Sequence, residues 1–202
     1  MADLKTVRDA APKRDPHPAG QFAAVCVDVI DLGWAVEVFG LEDPKLVDKT
    51  ALVFRTEALR DGAPLELAQE FSTSLGKKAN LRKFLESWRG KPYTDDEARR
   101  DGIPLHKLCG VPALMTVAHK TSKAGNEYAI ISSVVPLPKQ MHDGAPSADG
   151  YVRAEFWTKK KAEYTMAADT FRQRDPGPSA AVQPTPETEF GDYPADEDDL
   201  PF

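Results

Sequence analysis

One strongly periodic helix, set between three strand-like segments and two more, is the feature that most limits how this chain can fold. In NLRKFLESWRG, Leu81, Phe84, Leu85 and Trp88 fall at i, i+3, i+4 and i+7, the spacing that gathers apolar side chains on one face of a helix. Asn80 is placed to cap its start and Gly90 to end it. Ahead of it, residues 22–32 (FAAVCVDVIDL) alternate as a strand, with Val25, Val27 and Val29 on one face and Cys26, Asp28 and Ile30 on the other. A short strand over 34–39 is followed by strands over 50–57 (TALVFRTE) and 65–74 (LELAQEFSTS), the last two separated by the turn-like RDGAP at 60–64. After the helix, the capping box Thr94-x-x-Glu97 opens a short helix that Gly102 ends, and Pro104 suits the first turn of another ending near Gly110. Strands over 111–120 (VPALMTVAHK) and 127–137 (EYAIISSVVPL) are joined by the hairpin-like TSKAGN.

The order is therefore β-β-β-α-β-β, an all-β domain with small helical insertions. That order predicts an OB-fold-like barrel, a five-stranded Greek key in which a helix between the third and fourth strands plugs one end. The stripe Leu81/Phe84/Leu85/Trp88 suits the plug. Residues 151–157 (YVRAEFW) read as a sixth strand beyond the barrel, while the charged KKKAEYTMAADTFRQR has no assigned element. Residues 1–20, with Pro12, Pro16 and Pro18, read as a flexible arm, 21–174 as the folded domain with a C-terminal extension, and 175–202 as a disordered tail.

The net charge of −6 averages two unlike regions. Residues 176–202 hold seven acids, six prolines and no Lys or Arg, which leaves 26 basic and 25 acidic residues for the remainder. A near-neutral body binds a polyanion only where its cations cluster. The densest cluster is KKANLRKFLESWRGK, with Lys77, Lys78, Arg82, Lys83, Arg89 and Lys91 against the single acid Glu86. Lysine and arginine at this density gain affinity by releasing the counterions condensed on a phosphate backbone.

Aromatic residues interleave with cations elsewhere: Phe54 with Arg55, Phe71, Tyr93 beyond the helix, and Tyr128 near His119, Lys120 and Lys123. Rings stack on any base while cations follow the backbone, so Phe54, Arg55, Tyr93, Lys120, Lys123 and Tyr128 join the basic cluster as candidate single-stranded DNA contacts. Trp88 and Phe84, on the apolar stripe, belong to the core.

The chain finishes Asp196-Glu197-Asp198-Asp199-Leu200-Pro201-Phe202. Acids steer toward basic grooves, and a terminal ring with a free carboxylate makes an anchor for a partner protein. This DDLPF ending resembles the tips of bacterial and phage single-stranded DNA-binding proteins, which recruit replication, recombination and repair proteins through such tails. The segments SLGKKANLRKFLESWRGKPYTDDE and LHKLCGVPALMTVAHKTSKAGNEYAIISSV resemble a group of phage-encoded OB-fold proteins of this kind, over residues 22–138. The resemblance implies a sequence-independent single-stranded DNA-binding protein, working in the host-cell cytoplasm as a monomer or homodimer.

Catalysis and cofactors find little support in the sequence. It holds no phosphate-binding loop of the form Gly-x-x-x-x-Gly-Lys-Ser/Thr, no His-Glu-x-x-His and no Gly-x-Ser-x-Gly. Asp28 and Asp31 alone do not make a nuclease centre, and a metal site built on His106 and Cys109 with Cys26 or His119 lacks a second closely spaced ligand pair. Cys26 and Cys109 read as small buried apolar residues. No apolar run is long enough for a membrane span, and the N-terminal segment lacks a signal-peptide core. The expected function is thus protection of single strands without chemistry. Two alternatives are a protein adaptor whose acidic tail mimics DNA, and a strand-annealing recombination protein.

Overall fold

The computed structural model describes residues 15–38, 43–98 and 102–174. The first and last stretches of the chain, including the acidic tail and its Asp196–Phe202 tip, lie outside the described residues. Five antiparallel strands form one sheet: β1 (Gly20–Glu37), β2 (Lys45–Arg60), β3 (Ala63–Ser72), β4 (Pro112–Thr121) and β5 (Glu127–Pro136), in the order β3-β2-β1-β4-β5. Among the described residues two longer helices accompany it, α1 (Asn80–Arg89) and α2 (Glu155–Arg174), with short 3-10 helices at Leu105–Leu108 and Lys139–Gly144. The sheet's two end strands, β3 and β5, approach one another, and α1 packs against both.

Both faces of the sheet's centre are buried, which explains the unbroken apolar run Ala51-Leu52-Val53-Phe54. Leu52 and Phe54 enter an inner core with Ala24, Cys26, Phe71, Met115, Val117, Ile131 and Val134, over which α1 lays Leu81, Leu85 and Trp88. Ala51 and Val53 enter an outer core with Val25, Val27, Ile30 and Leu32, covered by Trp157 of α2 and by Tyr151 and Tyr164. Each fully buried aliphatic or aromatic side chain is worth about 1.5–3 kcal/mol relative to exposure.

β1 does not keep the simple alternation expected of it. Its register with β2 moves from Cys26↔Phe54 to Asp28↔Val53, so Val27 is an extra residue in a β-bulge. Val25 and Val27 therefore point to the outer core while Val29 packs against the inner one. A second irregularity between Asp31 and Gly33 lets the strand expected separately over 34–39 continue as part of β1.

The sixth strand expected over 151–157 is not formed. Residues 151–154 are irregular, and Glu155 begins the 20-residue helix α2, which continues through the unassigned charged segment. Trp157, Tyr164 and Ala168 fall at i, i+7 and i+11, a narrow stripe that a strand reading of 151–157 could not register. Polar ties complete the docking: Arg153 donates two 2.7 Å hydrogen bonds to the Asp28 carboxylate, and Lys161 reaches Asp31 at 2.8 Å.

α1 starts one residue earlier than capping by Asn80 would require, for Ala79 occupies the cap position without a side-chain bond. Gly90 ends it in the left-handed region at φ 75°, its N–H donating to Glu86 O at 3.0 Å. A Cβ at Gly90 would meet Pro136 Cγ at 3.0 Å, so this turn also sets the approach of α1 to β5. The Thr94/Glu97 capping box forms, with Thr94 N–H on Glu97 Oε2 at 2.7 Å and Glu97 N–H on Thr94 Oγ1 at 3.1 Å. The arm expected through residue 20 is tied down from His17, which is buried with Nε2 2.7 Å from Thr56 Oγ1 while its carbonyl accepts a 2.7 Å bond from His119 Nε2.

Candidate nucleic-acid interface

Because β3 and β5 approach without a shared hydrogen-bond ladder, a cleft opens between them, closed at one end by α1. It has a volume of about 770 Å³. Phe71 and half-buried Phe84 line it, their rings 4.9 Å apart and tilted, so an apolar surface lies between polar walls. Lys49, Lys78 and Lys83 supply the cations, and Ser72, Ser74, Ser87, Ser132 and Ser133 the hydroxyls.

A second cleft of about 390 Å³ continues toward the β4–β5 hairpin, carrying Lys120 and Tyr128, which face each other across the ladder. Gln69, Glu70 and Ile131 line both clefts and so join them. Gln69 Oε1, at the junction, has no hydrogen-bond partner within the protein. Tyr128 is 45% exposed, a ring available for stacking.

Several expected contacts are drawn away from this surface. Phe54 is 0% exposed and packs edge-on to Trp88 at 5.1 Å, so it belongs to the core. Tyr93 is also buried, with the Arg89 guanidinium 4.4 Å from its ring centroid. Arg55 braces the segment leading into α2, donating to Ser147 O at 3.1 Å and Asp149 O at 2.8 Å and pairing with Glu66 at 3.2 Å. Arg82 is buried within its own loop network: it pairs with Glu86 at 2.8 Å and donates to Leu75 O and Tyr93 O. Arg89 pairs with Glu97 at 2.8 Å. Two of the six cations in the basic cluster are therefore structural.

The Glu86 carboxyl is held below the usual range by the hydrogen bond from Arg82, helped by the Tyr93 N–H. Glu97 is lowered further, to about 2, by the Arg89 hydrogen bond and by the Thr94 backbone and side chain. Lys77 remains exposed but pairs with Asp95 at 3.0 Å. Lys78, Lys83, Lys91, Lys120 and Lys123 are exposed, and of these Lys78, Lys83 and Lys120 line the joined clefts.

Two acids also line the larger cleft, each already engaged. Glu37 pairs with Lys49 at 2.5 Å, and Glu70 binds Lys160 Nζ and the Tyr164 hydroxyl of α2. Lys49 and Phe84 are among the cleft residues that the sequence did not mark as a binding surface, with Gln69, Glu70 and the serines. Phe84 shares the helical stripe with true core residues, and nothing in the strand containing Lys49 marks its side chain as facing a cleft.

Elsewhere, Cys26 and Cys109 are free thiols, the Cys26 thiol donating to Asp28 O at 3.7 Å; Cys26 is buried and Cys109 exposed, so only the first matches its expected burial. Among the described residues no three His, Cys, Asp or Glu side chains form a group suited to a metal ion, and no helix is long and apolar enough to cross a membrane. No family model, curated protein or solved structure matches this chain.

Proposed function

We propose that this chain is a sequence-independent single-stranded DNA-binding protein whose sheet is a partly open OB-like barrel and whose strand path is the joined cleft between β3 and β5. The observation that carries the reading is the composition of that path: Phe84 and Tyr128 as stacking surfaces beside the exposed Lys78, Lys83 and Lys120. Rings that accept any base, flanked by cations that follow phosphates, bind without reading sequence. The strand order, the nearness of β3 to β5 and the placing of α1 between β3 and β4 all agree with a five-stranded OB arrangement.

OB folds commonly bind on the face of their second and third strands. Here α2 and Tyr151 cover the outer face of the central strands, and Arg55 is used to hold that cover, so the proposed path runs along the strand edges instead. The acidic tail, ending in Leu200-Pro201-Phe202, recruits replication, recombination or repair proteins in this reading.

Binding of the full-length chain to fluorescent oligo-dT of several lengths, across a salt series, tests the proposal. Length-dependent binding whose log affinity falls linearly with log salt supports it. Absence of binding at low salt, or equal competition by an unrelated neutral polymer, overturns it.

A further inference from the structure

Glu70 is out of place on a surface meant for a polyanion. It sits on β3 where the two clefts join, so its carboxylate stands beside any strand running from Lys120 to Lys83. Among the described residues its charge is met from α2: Lys160 Nζ pairs with one oxygen and the Tyr164 hydroxyl donates to the other at 2.9 Å. Both members of the Lys160–Glu70 pair are largely shielded, at 23% and 25% side-chain exposure, so solvent screens the pair less than a surface one. Lys160 is in turn set among the Phe156, Trp157 and Tyr164 rings, 5.5–6.0 Å from their centroids. Those rings fix the ammonium at Glu70 rather than leaving it to sweep the surface.

We propose that Lys160 and Tyr164 of α2 are positioning residues for nucleic-acid binding, neutralising Glu70 at the junction of the clefts and so coupling the docking of α2 to affinity for single strands. The inference rests on the cleft being the DNA path. It gives α2 a role beyond covering the outer core: with the helix seated the path is net cationic, and with the clamp lost a bare carboxylate repels the backbone at its midpoint.

A double-mutant cycle on the full-length chain separates this from direct contact. Lys160→Met keeps the aliphatic packing, and Glu70→Gln removes the charge while retaining polar reach. The expected result is that Lys160→Met weakens binding of fluorescent oligo-dT severalfold at low salt, that Glu70→Gln alone binds as tightly as wild type or tighter, and that Lys160→Met costs nothing further in the Glu70→Gln background. Tyr164→Phe should weaken binding in the same direction and likewise be silent with Glu70→Gln. Equal losses from Lys160→Met in both backgrounds mean that the lysine touches DNA directly, and no loss in either means that Glu70 is not on the path; both overturn the inference while leaving single-strand binding intact. Failure of wild type itself to bind overturns the functional reading beneath it. Thermal melts of each variant, required to keep a single cooperative transition, remove unfolding as the cause.

Discussion

Arg82 donates from its guanidinium to the carbonyl of Tyr93 at 2.6 Å while its Nε holds Glu86, whose carboxylate also receives the Tyr93 N–H at 3.0 Å. One cation and one acid thus close the loop that follows α1, and the arginine that by composition looked like a phosphate ligand is a strut. Replacing Arg82 with Ala should lower the denaturant midpoint and leave the salt slope of DNA binding unchanged, because the group removed faces the protein. A variant that keeps its midpoint but loses salt slope would place Arg82 on the nucleic acid.

Trp88 and Phe54 meet edge to face inside the inner core, and the Trp88 indole N–H donates to Pro112 O at 3.0 Å. Truncating either ring to Ala should cost about 3–5 kcal/mol of stability in chemical denaturation. Cooperative unfolding with less than about 1 kcal/mol lost at Phe54 would contradict its placement in a packed core.

The exposed lysines of the cleft are separable from these struts. Lys78→Ala, Lys83→Ala and Lys120→Ala should each reduce the slope of log affinity against log salt by about 0.7, the value for one phosphate contact on a single strand. Tyr128→Ala should cost about 1–3 kcal/mol of binding with no change in melting. Titrations showing all four variants equal to wild type would remove the β3–β5 cleft as the path.

Acid should loosen the loop after α1. Glu97 in the folded chain holds its proton only near pH 2, against about 4.3 for an unconstrained glutamate, so its contribution is present above the ordinary value and is lost as pH falls toward 2. Glu97→Gln should be less stable than wild type at neutral pH, the gap narrowing through that window. Stability curves against pH that stay parallel down to pH 2 would show that the Arg89 pair contributes nothing.

Deleting Phe202 should abolish partner recruitment with little change in DNA binding, whereas deleting 176–202 should raise DNA affinity at low salt by removing seven acids tethered to the body. Calorimetry and pull-downs with both truncations test the two roles, and unchanged partner capture without Phe202 would end the anchor idea.

The helix at 80–89, its glycine stop, the approximate places of the five sheet strands and the Thr94 capping box were legible in the sequence, because each depends on side chains within a few residues of one another, whereas the separate strand expected over 34–39 is part of β1 and the sixth strand expected over 151–157 is not formed. The lining of the cleft was legible only in part: Lys78, Lys83, Lys120 and Tyr128 reach it, while Phe54, Arg55, Arg82, Arg89 and Tyr93 do not. Composition counts a cation but not its partner, and Glu86, Glu97 and the carbonyls at 147 and 149 are assigned to those arginines by folding.

By itself the sequence determined a β-β-β-α-β-β chain with an acidic end and one amphipathic helix to cover a core, since hydrophobic period and turn chemistry are local quantities. Only the tertiary structure decided which side of β1 each residue faces, because the extra residue at Val27 reverses the alternation up to the second register shift between Asp31 and Gly33. It likewise decided that residues 155–174 form a helix over the outer face, and that Glu70 is met by Lys160 across 90 positions of chain. Such pairings depend on how the sheet twists and what lies against it, which no short window of sequence contains.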